Sequence, residues 1–94
     1  MGGFLVLRML GGKPYPDIFL HASAEIGVSP HECIVIEDSL SGVIAGRSAG
    51  CTVIGPLAAG HIREGHAATL KEAGAHYLAT DYLEMEQIVD DLLR

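Results

Sequence analysis

The chain has 94 residues, with 12 Asp+Glu against six Lys+Arg, a net charge of −6 and 49% hydrophobic residues. That length suits one small domain, and the apolar content supports a packed core and excludes wholesale disorder. An acidic chain without a basic cluster is excluded as a nucleic-acid binder, which needs Lys and Arg to neutralise phosphates, and is equally unsuited to an anionic membrane surface.

The chain opens with a short apolar run, Phe4-Leu5-Val6-Leu7-Arg8-Met9-Leu10, interrupted by Arg8. A membrane-spanning helix needs about 20 apolar residues, and a secretory signal needs a basic start and a small-residue cleavage site. The run meets neither requirement, so a cytoplasmic location is expected. Pro16 suits the first turn of a helix, where its missing N–H has no partner to lose. Ile18, Phe19, Ala22 and Ile26 then recur at helical spacing, and Gly27 supplies a stop. Ser29-Pro30-His31-Glu32 resembles a capping-box turn. Cys33-Ile34-Val35-Ile36 follows as an unbroken apolar run, the pattern of a parallel strand covered on both faces.

Residues 39–49 predict a helix with Gly42, Ala45, Gly46 and Ala49 along one face. Each glycine weakens a helix by up to about 1 kcal/mol relative to Ala, so this stripe implies close approach to a neighbour. Gly50 ends it, and Cys51-Thr52-Val53-Ile54 predicts a second strand, stopped by Gly55-Pro56. A loop over 58–65, a short helix over 66–73 closed by Gly74, and a third strand over 75–79 come next. Met85, Ile88, Val89 and Leu92 mark an amphipathic final helix. This alternation predicts a parallel three-stranded sheet with covering helices, to which residues 4–9 can add a further strand. Right-handed crossovers bring the C-terminal ends of the strands to one edge, where open α/β sheets bind ligands.

Glu37 and Asp38 directly follow the strand at that edge. Two adjacent acids there are a natural seat for Mg²⁺, which takes one or two carboxylates with waters and phosphate oxygens. The competing reading has Glu37 in solvent at a strand end and Asp38 capping the next helix. Lys13 precedes Pro14 and Pro16, which fix the backbone and present its amine at a helix entrance. Such a point charge suits a phosphate oxygen, although most lone lysines are simply solvated. The two cysteines, Cys33 and Cys51, read as buried small hydrophobes rather than a disulfide. Among the five histidines, His61 and His66 lack the further ligands that a zinc site requires, and His21 and His76 read as partly buried structural residues. Glu84, Glu86, Asp90 and Asp91 read as the wet face of the last helix.

Gly12-Lys13-Pro14-Tyr15-Pro16-Asp17-Ile18-Phe19 resembles the third motif of the haloacid dehalogenase-like (HAD) hydrolases, in the branch with an inserted helical cap. Val35-Ile36-Glu37-Asp38-Ser39-Leu40-Ser41-Gly42-Val43-Ile44-Ala45-Gly46 is similar to the fourth motif of that branch, which holds small-molecule phosphatases and β-phosphoglucomutase. The resemblance implies a three-layer, Rossmann-like α/β fold present incompletely. Residues 12–94 are expected to form the C-terminal half of the core domain, and residues 1–11 an unassigned apolar segment. It implies that Lys13 steadies a transferring phosphoryl group. Asp38 would ligate Mg²⁺, with Glu37 beside it as ligand or through water, and Ser39, Pro14 and Asp17 in support. The implied activity is Mg²⁺-dependent hydrolysis or transfer of phosphate on a small phosphorylated metabolite.

The first motif of that family, a strand ending in Asp-x-Asp with the nucleophile, has no counterpart here, nor have the second-motif Ser/Thr and the cap. The chain alone is therefore expected to be inactive, because aspartyl-phosphate chemistry requires that carboxylate. The alternatives are a non-catalytic binding module that retains the fold, or a fragment with no role of its own. In the family arrangement the missing nucleophile strand lies beside Cys33-Ile34-Val35-Ile36. Its loss predicts an exposed sheet edge and self-association through it, unless Phe4-Leu5-Val6-Leu7 folds back as a cover.

Overall fold

The computed structural model describes residues 5–8 by their backbone, together with residues 17–57 and 65–93. Strand β1 spans Leu5–Arg8 and helix α1 Asp17–Ile26; a 3-10 turn, Pro30–Glu32, leads into β2, Cys33–Ile36. Helix α2 covers Leu40–Ala49, β3 Thr52–Pro56, α3 His66–Glu72, β4 Tyr77–Ala79 and α4 Tyr82–Leu93. The four strands form one parallel sheet in the order β1-β2-β3-β4.

The predicted class, a parallel α/β sheet between helical layers, is the one observed, and the N-terminal apolar run adds the further strand that its sequence allowed. Leu5 pairs with Cys33 and Arg8 with Ile36, so β1 covers the edge of β2: the open edge is not observed, and the alternative, the N-terminal apolar segment folding back as a cover, is. The physical reason is the unmet hydrogen bonding of that edge, which a neighbouring apolar segment of the same chain satisfies.

Side chains alternate across the sheet. Cys33, Val35, Cys51 and Val53 point to one face, where Phe19, Val43, Ala45, Ala49 and Leu70 close over them. Ile34, Ile54 and Ala79 point to the other, beneath Met85, Ile88, Val89 and Leu92 of α4. The small-residue stripe of α2 does what its spacing implied. A Cβ on Gly46 would stand 2.9 Å from Val53 Cγ2 and 3.2 Å from Val35 Cγ1, so the helix lies directly on β2 and β3. Gly50, at φ +90°, closes α2 in the left-handed conformation that Gly adopts without strain. Both cysteines are free and buried.

Five local expectations need correction. β3 runs through Gly55 and Pro56 rather than stopping before them. His76 is more exposed than the partly buried position expected of it. Ser29 makes no side-chain cap, because its Oγ instead meets His31 Nδ1 at 2.8 Å. The His21 side chain is 77% exposed on the outer face of α1, paired at 3.5 Å with Glu25 one helical turn on, rather than partly buried. Glu84 is not simply solvated: its N–H donates to Asp81 Oδ1 at 2.7 Å, and its Oε1 accepts from the Thr80 N–H at 2.8 Å, which caps the start of α4. No helix among the described residues is long and apolar enough to cross a membrane.

Candidate functional site

The C-terminal edge of the sheet is built by the turn between β2 and α2. The Glu37 N–H donates to Ile54 O at 3.1 Å, which carries the β2–β3 ladder one residue beyond the strand and fixes where the acids begin. Glu37 is on the same face as Val35 and is 1% exposed, whereas Asp38 turns out to solvent. The solvent-exposed reading of Glu37 is thereby overturned. Ser39, not Asp38, caps α2: its Oγ accepts from the Gly42 N–H at 3.0 Å. The same hydroxyl donates to Glu37 Oε1 at 3.1 Å, so one side chain starts the helix and orients the buried carboxylate.

Gly42 makes room for that carboxylate. A Cβ at Gly42 would overlap Glu37 Cγ and Cδ and sit 2.7 Å from its Oε1. Burial raises the Glu37 carboxyl above its usual range; the bonds from Ser39 oppose this, and the charge of Asp38 adds to it. Glu37 Oε2 is buried with no hydrogen-bond partner among the described residues. An orphaned carboxylate oxygen is costly, and here it lies one residue from an exposed carboxylate. The donor set is all oxygen and amounts to two side chains; no cluster of three or more His, Cys, Asp or Glu with metal-binding geometry occurs among the described residues. That set fits a hard cation that completes its shell with water and phosphate oxygens, not one that needs a full protein cage.

The structure thus brings Glu37, Asp38 and Ser39 together. Asp17 opens α1 and is exposed. Lys13 and Pro14 lie outside the described residues, as does His61. Sequence reasoning took Gly42 only as part of a packing stripe. Its place five residues after a buried acid was the available signal of its role.

The sequence model of the haloacid dehalogenase-like hydrolases matches residues 4–50, half of the chain. The chain belongs to that family. It is 43% identical over 77 residues to a β-phosphoglucomutase of Mycobacterium bovis, covering 81% of this chain and 29% of that protein. It is 47% identical over 47 residues to hexitol phosphatase A of Escherichia coli, covering 50% of this chain and 22% of that protein. Among solved structures, a haloacid dehalogenase-like protein of Agrobacterium tumefaciens superposes with TM-score 0.80 at 40% identity, over 85% of this chain and 36% of that one. A HAD family hydrolase of Deinococcus radiodurans, solved with bound phosphate and sodium, superposes with TM-score 0.77 at 39% identity, over 87% and 37%. The chain spans under a third of the two curated relatives.

Proposed function

We propose that this chain supplies the acid-and-lysine part of a Mg²⁺-dependent phosphohydrolase or phosphomutase site for a small phosphorylated metabolite, with residues 12–94 as the C-terminal half of the core. The observation that carries the reading is the buried Glu37 carboxylate, with its orphaned oxygen, beside exposed Asp38 at the C-terminal edge of a parallel sheet. The phosphatase and mutase relatives support it.

In this reading Asp38 holds Mg²⁺ and Glu37 stands beside it, directly or through a water. The metal, when bound, screens phosphate charge and stabilises a developing negative transition state. Ser39 keeps Glu37 in place, and Gly42 keeps its seat open. Lys13 neutralises a phosphate oxygen, with Pro14 limiting its freedom and Asp17 opening the helix that follows. A cytoplasmic setting belongs to the same proposal.

A second reading, a non-catalytic module that retains the fold, draws on one observation. The strand beside β2 reads Leu5-Val6-Leu7-Arg8 and contains no carboxylate to act as nucleophile. Both readings give an inactive chain on its own. Hydrolysis of an aryl phosphate with excess Mg²⁺ should show no turnover above a Lys13→Ala, Asp38→Asn control. Turnover above that control would overturn the incomplete-site account.

A further inference from the structure

Helix α4 covers only part of its face of the sheet. Its main contacts are with β3 and β4, and its stripe of Met85, Ile88, Val89 and Leu92 packs on Ile34, Ile54 and Ala79. All four stripe residues nevertheless stay half-buried, as does Ile36 at the end of β2. Beside the stripe, Tyr82, Met85, Val89 and Leu93 follow one flank of the helix at spacings of three and four, with Tyr82 66% and Leu93 50% exposed. That flank turns toward β2. Ile36, Tyr82, Met85 and Val89 line an open depression of about 230 Å³, which Glu86 and Asp90 complete.

The shape of this groove argues for a helix as its occupant. A small-molecule site is a concave pocket of about 300–1,000 Å³, whereas this depression is smaller and open along α4. The flank belongs to a 12-residue helix, about 18 Å long at the helical rise, and helices lie side by side on the faces of parallel sheets. This chain covers 36% and 37% of two solved relatives, so further polypeptide is the kind of cover that the comparison favours. Charge then selects the partner. Tyr82–Leu93 contains no Lys, Arg or His; Glu86 and Asp90 are exposed, and neither makes an ion pair among the described residues. A second copy laid flank to flank would set these acids against their own counterparts, and like charges juxtaposed in an interface are costly.

We propose that this groove docks a basic amphipathic helix of another polypeptide. Its apolar stripe sits on Ile36, Tyr82, Met85 and Val89, and Lys or Arg on its flanks meets Glu86 and Asp90. Tyr82, the exposed aromatic at the head of the groove, is the anchor. Burial of the apolar flank supplies affinity, and the two acids at the rim set orientation and exclude acidic helices. The groove does not use Glu37 or Asp38 and is independent of how that pair is read.

The test is an NMR titration of the full chain with two synthetic peptides of about 15 residues, long enough to hold a helix. Both carry the same Leu stripe, one flanked by Lys and the other by Glu. The Met85 methyl and the Tyr82 and Val89 amides report on the groove. Saturable shifts there are expected with the Lys peptide, and binding about tenfold weaker or worse with the Glu peptide. Tyr82→Ser, at an exposed position, and the double variant Glu86→Lys, Asp90→Lys should each weaken the Lys peptide about tenfold. Glu25→Lys with Glu72→Lys makes the same change of charge at exposed acids elsewhere and should leave binding unchanged. Equal binding of the two peptides, shifts that do not saturate, or an equal loss in the Glu25→Lys, Glu72→Lys variant would overturn the proposal. Shifts at the same signals that grow with protein concentration before any peptide is added would assign the groove to a second copy and overturn it too.

Discussion

The two faces of the sheet are covered very differently. On one, three helices bury Phe19, Val43 and Leu70 over Cys33, Val35, Cys51 and Val53, and glycines let α2 rest on the strands. On the other, among the described residues, α4 alone covers Ile34, Ile54 and Ala79, buries none of its own residues fully, and leaves Tyr82 and Leu83 about two-thirds exposed at 66% and 65%. Glu37 belongs to the tightly packed face. The carboxylate that needs a fixed position is thus held where neighbours cannot move, while the looser face serves mainly to keep the sheet dry. Close packing transmits even one-methylene changes, so the two faces should answer mutation unequally.

Truncation at matched positions gives the largest contrast. Leu70→Ala removes a side chain with 0% exposure and should cost about 2–5 kcal/mol, enough to unfold much of a small domain. Val89→Ala, half-buried on α4, should cost about 1 kcal/mol or less. Equal midpoint shifts in urea would remove the distinction between the faces.

Gly42→Ala sharpens it at the site itself. The added methyl has no space beside Glu37, so the cost should be about 1–3 kcal/mol, and the Glu37 carboxylate should be displaced. The matching change at Gly27, where a Cβ meets nothing within 4 Å, creates only backbone strain at φ +80°. If Gly42→Ala retained both wild-type stability and the Glu37 amide shift, the tight seat would be disproved.

The smallest effect is a pH slope. The His76 pKa is lowered from 6.5, chiefly by burial and then by Arg47, so the unfolded chain binds the proton more readily. Its contribution is therefore intact above pH 6.5 and declines as the pH falls from there through the folded-state pKa. Arg47→Gln should shrink that decline, and thermal melts across the range provide the check. Identical profiles in the two proteins would show that Arg47 does not act on the ring.

Periodicity and punctuation made most of this fold legible. Unbroken apolar runs marked β2 and β3, helical spacing marked α1 and α4, and Gly50 and Gly74 marked ends that the structure closes. The run over Phe4 to Leu10 was ambiguous because apolar alternation alone does not say which edge a strand will join; pairing with Cys33–Ile36 is a tertiary outcome. His21 misled because a lone histidine on a helix carries no burial signal of its own. At the site, adjacency made Glu37 and Asp38 visible, but their opposite exposure depends on how the chain turns after the ladder bond to Ile54. The Val53–His76–Arg47 contacts join three separate elements and left no trace in local sequence.

The central claim is that Glu37 and Asp38 form one cation site. An NMR titration of the full chain with Mg²⁺ tests it most directly. Two carboxylates without a substrate phosphate should bind in the millimolar range or weaker, on the order of −4 kcal/mol. The account predicts that the amides of Glu37, Asp38 and Ser39 move first and saturate, and that Asp38→Asn abolishes the response. Shifts at those amides that persist unchanged in Asp38→Asn would contradict it.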